Sequence, residues 1–352
     1  MVRVSLTSLF LLAAVIYCAS TQNAVNLEPV IGILAIPSDY AQYAEKSYNY
    51  MAASYVKYVE SAGARVVPIQ WDLPLENLTS IMRKLNGFLL TGGSADHVKA
   101  DNKTLTPFGK AVENVINNVI QFNKEGTYYP LWGTCMGFQL ISCIIAGQSS
   151  GNYNCLYSQP GFLAVRKNMT FTQEALAHPI FSKMPDDIHK SFETEGITFF
   201  NMHYTVQRNL WEENYGLLTN FTRLTYVSDD VGTDFGVLIA GTKYPIFGSQ
   251  FHPEKSAFEW NEQQDIPHSY EAIVGAQIYA NFFVDEARKN SNKITNADFD
   301  EVSIYNYNPI QIPNDTFDQV YIFQRVSKGS PYRQMAENGD IDTQVALEFL
   351  DY

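Results

Sequence analysis

Between residues 30 and 147 the chain alternates short β-rich apolar runs with segments of helical spacing, and that rhythm constrains the fold more than any other feature. "VIGILAI" (30–36) reads as strand, and "YMAASYVKYVESAG" (50–63) repeats Ala52, Tyr55, Val56, Val59 and Ala62 at helical spacing before a glycine stop. "ARVVPI" (64–69) reads as strand, "LENLTSIMRKL" (75–85) as helix and "GFLLTGG" (87–93) as strand again. A helix near 108–122, a strand around 129–132 and a helix from Met136 to Ala146, closed by Gly147, continue the pattern. Strands alternating with helices predict an α/β fold: a mostly parallel, doubly wound sheet flanked by helices, with sites beyond the carboxyl ends of the strands. The stretch 150–235 is less regular. "GVLIAG" (236–241) and "YPIFGSQ" (244–250) read as further strands, and "HSYEAIVGAQIYANFFVDEARK" (268–289) as a long terminal helix.

The two ends read differently from the body. "MVRVSLTSLFLLAAVIYCAS" (1–20) has one early base, an apolar core and a small-residue end, the pattern of a secretory signal peptide cleaved after Ser20. Its apolar run, Val4 to Tyr17, is shorter than the roughly 20 residues of a membrane span, so no membrane anchor is expected. One large domain over 21–324 follows, and 325–352, with "SKGSPYRQMAENGDIDTQ", reads as an exposed or disordered extension. Asn-x-Ser/Thr sequons at Asn77, Asn102, Asn168, Asn220 and Asn314 fit a secreted or lysosomal glycoprotein. Without Cys18 three cysteines remain, Cys135, Cys143 and Cys155. An odd number in an oxidising compartment leaves at least one thiol free, and the alternative is three buried structural cysteines.

The formal net charge is -13, and from Asp298 onward ten acidic residues face three basic ones, so the body is only mildly acidic. A nucleic-acid partner needs a basic footprint that is absent, and an anionic membrane surface is disfavoured for the same reason. An anionic small substrate stays open, because charges farther off than the ~8 Å Debye length are largely screened.

Gly133-Thr134-Cys135-Met136-Gly137 places a cysteine where a strand turns into a helix, the thiol counterpart of the Gly-x-Ser-x-Gly nucleophile elbow. The glycines permit the tight turn, the helix N-terminus favours a negative sulfur, and the Met136 amide can meet an oxyanion. "FGSQFHPEK" sets His252 just past another strand as a base, with Glu254 two residues on to hold the imidazole. "TGGS" (91–94) ends a third strand and offers the Gly93 amide as the second oxyanion donor. The plain alternatives are a core cysteine, a His-Pro turn and a glycine loop. No metal-ligand spacing, phosphate loop or dinucleotide fingerprint occurs, so no metal and no cofactor are implied.

"PLWGTCMGFQ", "TGGS" and "FGSQFHPEK" on this framework resemble the class I glutamine amidotransferase-like superfamily, whose fold is flavodoxin-like. Within it "AASYVKYVESAGARVVPI" (52–69), "HPEKSAFEW" (252–260) and "NFFVDEARKN" (281–290) resemble the gamma-glutamyl hydrolase family over about residues 29–324. The resemblance implies a hydrolase of gamma-glutamyl amide bonds, with folylpoly-gamma-glutamates as the small-molecule substrate and a homodimer as the assembly. It implies Cys135 as nucleophile, His252 as base and Glu254 as third catalytic residue, with Tyr55 and His203 at the substrate. Gln139 occupies a substrate-side position where the family carries glutamate. A glutaminase of the amidotransferase kind would share the elbow and the His-Pro-Glu turn. A non-enzymatic binding glycoprotein on the same fold would need none of the three.

Overall fold

β1 (Val30–Pro37) is buried along almost its whole length, as a central parallel strand with covered faces must be. The computed structural model describes residues 25–38, 48–206, 211, 217–229, 232–312 and 315–325. The expected signal peptide, Asn314 and all of the C-terminal extension except Arg325 lie outside the described residues.

After β1 come β2 (Tyr48–Ala52), α1 (Ala53–Ser61), β3 (Arg65–Gln70), α2 (Leu75–Met82), β4 (Gly87–Leu90), α3 (Pro107–Lys124), β5 (Leu131–Thr134) and α4 (Met136–Ser150). Short pieces follow: β6 (Leu156–Ser158), β7 (Val165–Lys167), β8 (Thr170–Phe171), α5 (Gln173–Ala177), α6 (Asp186–Thr194), β9 (Thr198–Phe200), β10 (Tyr204–Val206) and α7 (Leu217–Asn220). The chain then makes β11 (Phe221–Ser228), β12 (Asp234–Gly241), β13 (Ile246–Ser249), α8 (Lys255–Phe258), α9 (Tyr270–Ala287), α10 (Asn296–Val302), β14 (Ile310–Gln311) and β15 (Gln319–Gln324).

The five strands β3, β1, β4, β5 and β13 run parallel in that spatial order, and β12, β11 and β8 continue the sheet antiparallel. The expected mostly parallel sheet is therefore present. Local signals account for the helix ends: Thr106 caps α3 with Pro107 as its first residue, and Ser269 caps α9 by accepting the Ala272 N–H. Gly63, at φ 86°, ends α1 with its N–H on Glu60.

Three expectations are corrected. Residues 50–52, read as helix, are strand, because β2 pairs antiparallel with β15, with Ala52 opposite Val320 and Tyr48 opposite Gln324. The helix over 268–289 is not terminal: α10, β14 and β15 follow it. Gly147 does not close its helix; it lets the Tyr153 ring approach, since a Cβ there would lie 2.1 Å from the ring, and the helix ends at Gly151, φ 72°.

Cys143 and Cys155, both fully buried, form a disulfide that ties α4 to the segment after it, which leaves Cys135 as the free thiol among the described residues. All three cysteines are buried, and the disulfide makes two of them structural. Replacing Cys143 and Cys155 together by serine should lower the unfolding free energy by about 3 kcal/mol, the entropy of a loop this short. A denaturant titration reads this, and an unchanged midpoint would show the bond to be dispensable.

Of the sequons, Asn102 and Asn168 are exposed and Asn220 is half-buried. Asn77 is 6 % exposed on α2.

Candidate active site

Adjacent parallel strands end at one edge of the sheet, and β4, β5 and β13 are adjacent: Leu90 stands opposite Gly133, which stands opposite Gly248. The segments leaving these three strands are Thr91–Gly93, Cys135 and Gln250–Glu254. Residues scattered over 160 positions thus meet at one edge.

Cys135 turns from β5 into α4 with φ 51° and ψ -105°, a conformation that costs a non-glycine residue of order 1–3 kcal/mol. Its N–H donates to the Ser249 carbonyl at 2.7 Å, which locks the turn onto β13. The two flanking glycines are close-approach points. A Cβ on Gly133 would lie 2.5 Å from Gly137 backbone, and one on Gly137 would lie 2.3 Å from the Leu90 carbonyl oxygen. The thiol is 6 % exposed and 3.8 Å from the Asn201 carbonyl.

The 91–95 loop packs against this turn. The Ala95 N–H reaches Met136 Sδ at 3.2 Å, and Gly93, at φ 149°, brings its backbone so near Ile36 that a Cβ would be 2.2 Å from Cδ1. Gly93 and Met136, the expected oxyanion donors, are neighbours: a Cβ on Gly93 would lie 3.3 Å from Met136 Cε.

His252 and Glu254 are buried, and His252 Nδ1 meets Glu254 Oε1 at 2.7 Å. That contact fixes the ring, while Nε2 has no hydrogen-bond partner among the described residues. Burial alone would lower the imidazole pKa, but the Glu254 carboxylate and the Cys135 sulfur outweigh it and raise it to about 9.

Tyr55, expected at the substrate, is 1 % exposed. Its hydroxyl accepts the Gly92 N–H at 2.8 Å and sits 3.5 Å from His252 Nδ1, so it joins the glycine loop to the His–Glu pair. His203 is exposed on the cavity wall. Gln139 is 8 % exposed on the inner turn of α4 and also lines a cavity.

Cys135 opens onto two cavities of about 470 and 450 Å³, which share Gly93, Ser94, Asn201 and His203. One is walled by Tyr50, Leu163, Thr316 and Phe317, the other by His97, Asn154, Tyr157 and Ser158. No lysine or arginine lines either among the described residues. An amide at the sulfur would have room for chain on both sides, among neutral donors, His203 and the carboxyl groups of Asp315 in the first cavity and Asp96 in the second.

Sequence reasoning did not single out Lys255. It is fully buried, and its ammonium donates to Gln264 Oε1 at 2.8 Å and to the Thr316 carbonyl at 2.6 Å, fastening the Thr316–Phe317 wall. Its place directly after Glu254 was the only available signal; the wall itself, from the far end of the chain, left none. Among the described residues no group of His, Cys, Asp and Glu could hold a metal ion, and no helix is long and apolar enough to cross a membrane.

The model of the Peptidase C26 family matches residues 29–254, a span that contains β1, the glycine loop, the Cys135 elbow and the His252–Glu254 pair. Gamma-glutamyl hydrolase B of Dictyostelium discoideum is 37% identical over 325 residues, covering 91% of this chain and 90% of that protein. The human gamma-glutamyl hydrolase is 34% identical, covering 84% and 90%, and gamma-glutamyl hydrolase 2 of Arabidopsis thaliana is 32% identical, covering 87% and 86%. Likeness of this extent, running through every segment that builds the edge around Cys135, makes the chain a member of the Peptidase C26 family.

Proposed function

We propose that the protein is a cysteine hydrolase of gamma-glutamyl amide bonds, with folylpoly-gamma-glutamates as substrate. The observation that carries this is a free thiol, the one among the described residues, on a strained strand-to-helix turn, beside a carboxylate-held histidine, with room for chain on both sides. The relatives' names supply the bond type.

The Cys135 sulfur attacks the amide carbonyl carbon, and the carbonyl oxygen takes up charge between the Met136 and Gly93 amides. The carbon–nitrogen bond breaks as protonated His252 gives its proton to the departing nitrogen. A gamma-glutamyl thioester stays on Cys135. Neutral His252 then takes a proton from water, whose oxygen attacks the thioester carbon and releases the acid and the sulfur. Glu254 holds the ring in the required tautomer throughout. Secretion or lysosomal targeting, glycans on Asn102, Asn168 and Asn220, and a homodimer belong to the same proposal and follow from the signal-like leader, the sequons and the family.

Incubating the purified protein with pentaglutamyl folate and following it by mass spectrometry should give shortened folates over time, with none from Cys135→Ala. Release of ammonia from glutamine without shortening of the folate would overturn this reading in favour of a glutaminase. No turnover of either would favour a binding glycoprotein.

A further inference from the structure

Gln139 lies one helical turn after the thiol, its N–H donating to the Cys135 carbonyl at 3.1 Å. Its side-chain amide does not point its hydrogens into the cavity. Nε2 donates to the Tyr204 carbonyl at 2.6 Å and reaches Gln250 Oε1 at 3.3 Å. A carbonyl oxygen can only accept, so the amide must present its NH2 to Tyr204.

Both acceptors neighbour residues of the site. Tyr204 follows His203, and Gln250 stands two residues before His252, at the end of β13. Gln250 is itself fully buried, with its own N–H on the Val237 carbonyl at 2.8 Å. Among the described residues, β10, which begins at Tyr204, pairs only with β6, in a two-stranded ribbon outside the main sheet. Main-sheet hydrogen bonds therefore do not hold the ribbon against the thiol helix; besides the burial of Thr205 and Val206, the Gln139 amide reaches it.

We propose that Gln139 is a positioning residue whose neutral amide fastens the His203–Tyr204 ribbon and the Gln250 strand end to the nucleophile helix. The cavity wall beside Cys135 then keeps its place at any pH the enzyme meets. This rests on the Cys135 reading given above for its kinetic test, though not for its structural one. The titratable groups around that cavity are Cys135, Asp96, His97, Tyr157, His203 and Tyr204, and none of their side chains bonds the amide.

Two variants separate this role from plain packing. In Gln139→Glu, an ionised carboxylate would set two acceptors against each other at the Tyr204 carbonyl, and only the protonated acid could donate. Burial favours that neutral form, so the carboxyl should titrate above its ordinary ~4.3. The variant's kcat/KM should lie within about 3-fold of the parent at the acid end. It should fall about 10-fold below it by neutrality, mostly through KM, as one proton is lost. Gln139→Leu should lose about 10-fold at every pH, because both bonds go.

Hydrogen exchange of the Tyr204–Val206 amides gives a readout that needs no turnover. Relative to the parent at each pH, exchange should quicken in Gln139→Glu only toward neutrality, and in Gln139→Leu throughout. A Gln139→Glu profile that superimposes on the parent in both kinetics and exchange, or unchanged exchange in Gln139→Leu, would overturn the proposal. A parent that cleaves no gamma-glutamyl substrate, with exchange responding as described, would instead remove the function assigned to the site and leave the tether standing.

Discussion

Cys135→Ala should lose at least ~10⁴-fold in kcat, the scale on which enzymes lose activity when a covalent nucleophile is removed. The variant should keep its fold, since one sulfur at 6 % exposure leaves and the Cys135 N–H still holds the Ser249 carbonyl. It should also still bind substrate, because the cavity walls are contributed by other residues. Single-turnover assays with thermal unfolding of both proteins check this. Activity within 100-fold of the parent would exclude Cys135 as nucleophile, while loss of activity together with loss of the unfolding transition would say nothing in its favour.

Glu254→Gln should have the second largest effect. In the parent, imidazolium persists until about pH 9, so the alkaline limb of kcat/KM should fall there. Burial, which pushes the imidazole down, is opposed chiefly by the Glu254 carboxylate; without that charge the limb should move to lower pH by about one unit or more. The amide can also hold the ring in the wrong tautomer, and kcat should drop on the order of 10²- to 10⁴-fold, as in other triads that lose their carboxylate. Stability should follow the same group. Folded His252 binds its proton more tightly than an unfolded chain with its ordinary ~6.5, so the stabilisation is full below about pH 6.5 and disappears as pH rises toward 9. In Glu254→Gln that decline should be smaller and should end at a lower pH. A parent profile with no alkaline limb between 8 and 10 would contradict the pairing.

The parallel core was readable because its strands are short apolar runs set between helix-period segments, and a buried parallel strand needs no partner nearby in sequence to show that character. The glycine-flanked Cys135 and the His-Pro-Glu string were readable for a related reason: the chemistry and the turn lie within five residues. Long-range pairing escaped that kind of reading. Residues 50–52 have helical spacing, and pairing with β15 and, at Tyr50, with β1 makes them strand. Tyr55 sits on an apolar helix face like any core aromatic, and nothing local tells that its hydroxyl holds the Gly92 amide. Lys255 looks like a surface lysine, because its acceptors, Gln264 and Thr316, are brought to it by folding.

The pairing of β15 with β2 has a consequence for synthesis on the ribosome. The Lys57 ammonium meets the Gln319 side chain across 262 residues, and the Thr316–Phe317 wall arrives with the same stretch. Closing so large a loop is entropically slow and cannot begin until its far end has emerged. A nascent polypeptide arrested after α9 would carry thiol, histidine and glutamate yet lack one side of the cleft. Emergence of the chain to about residue 324 is therefore the step that completes the cleft.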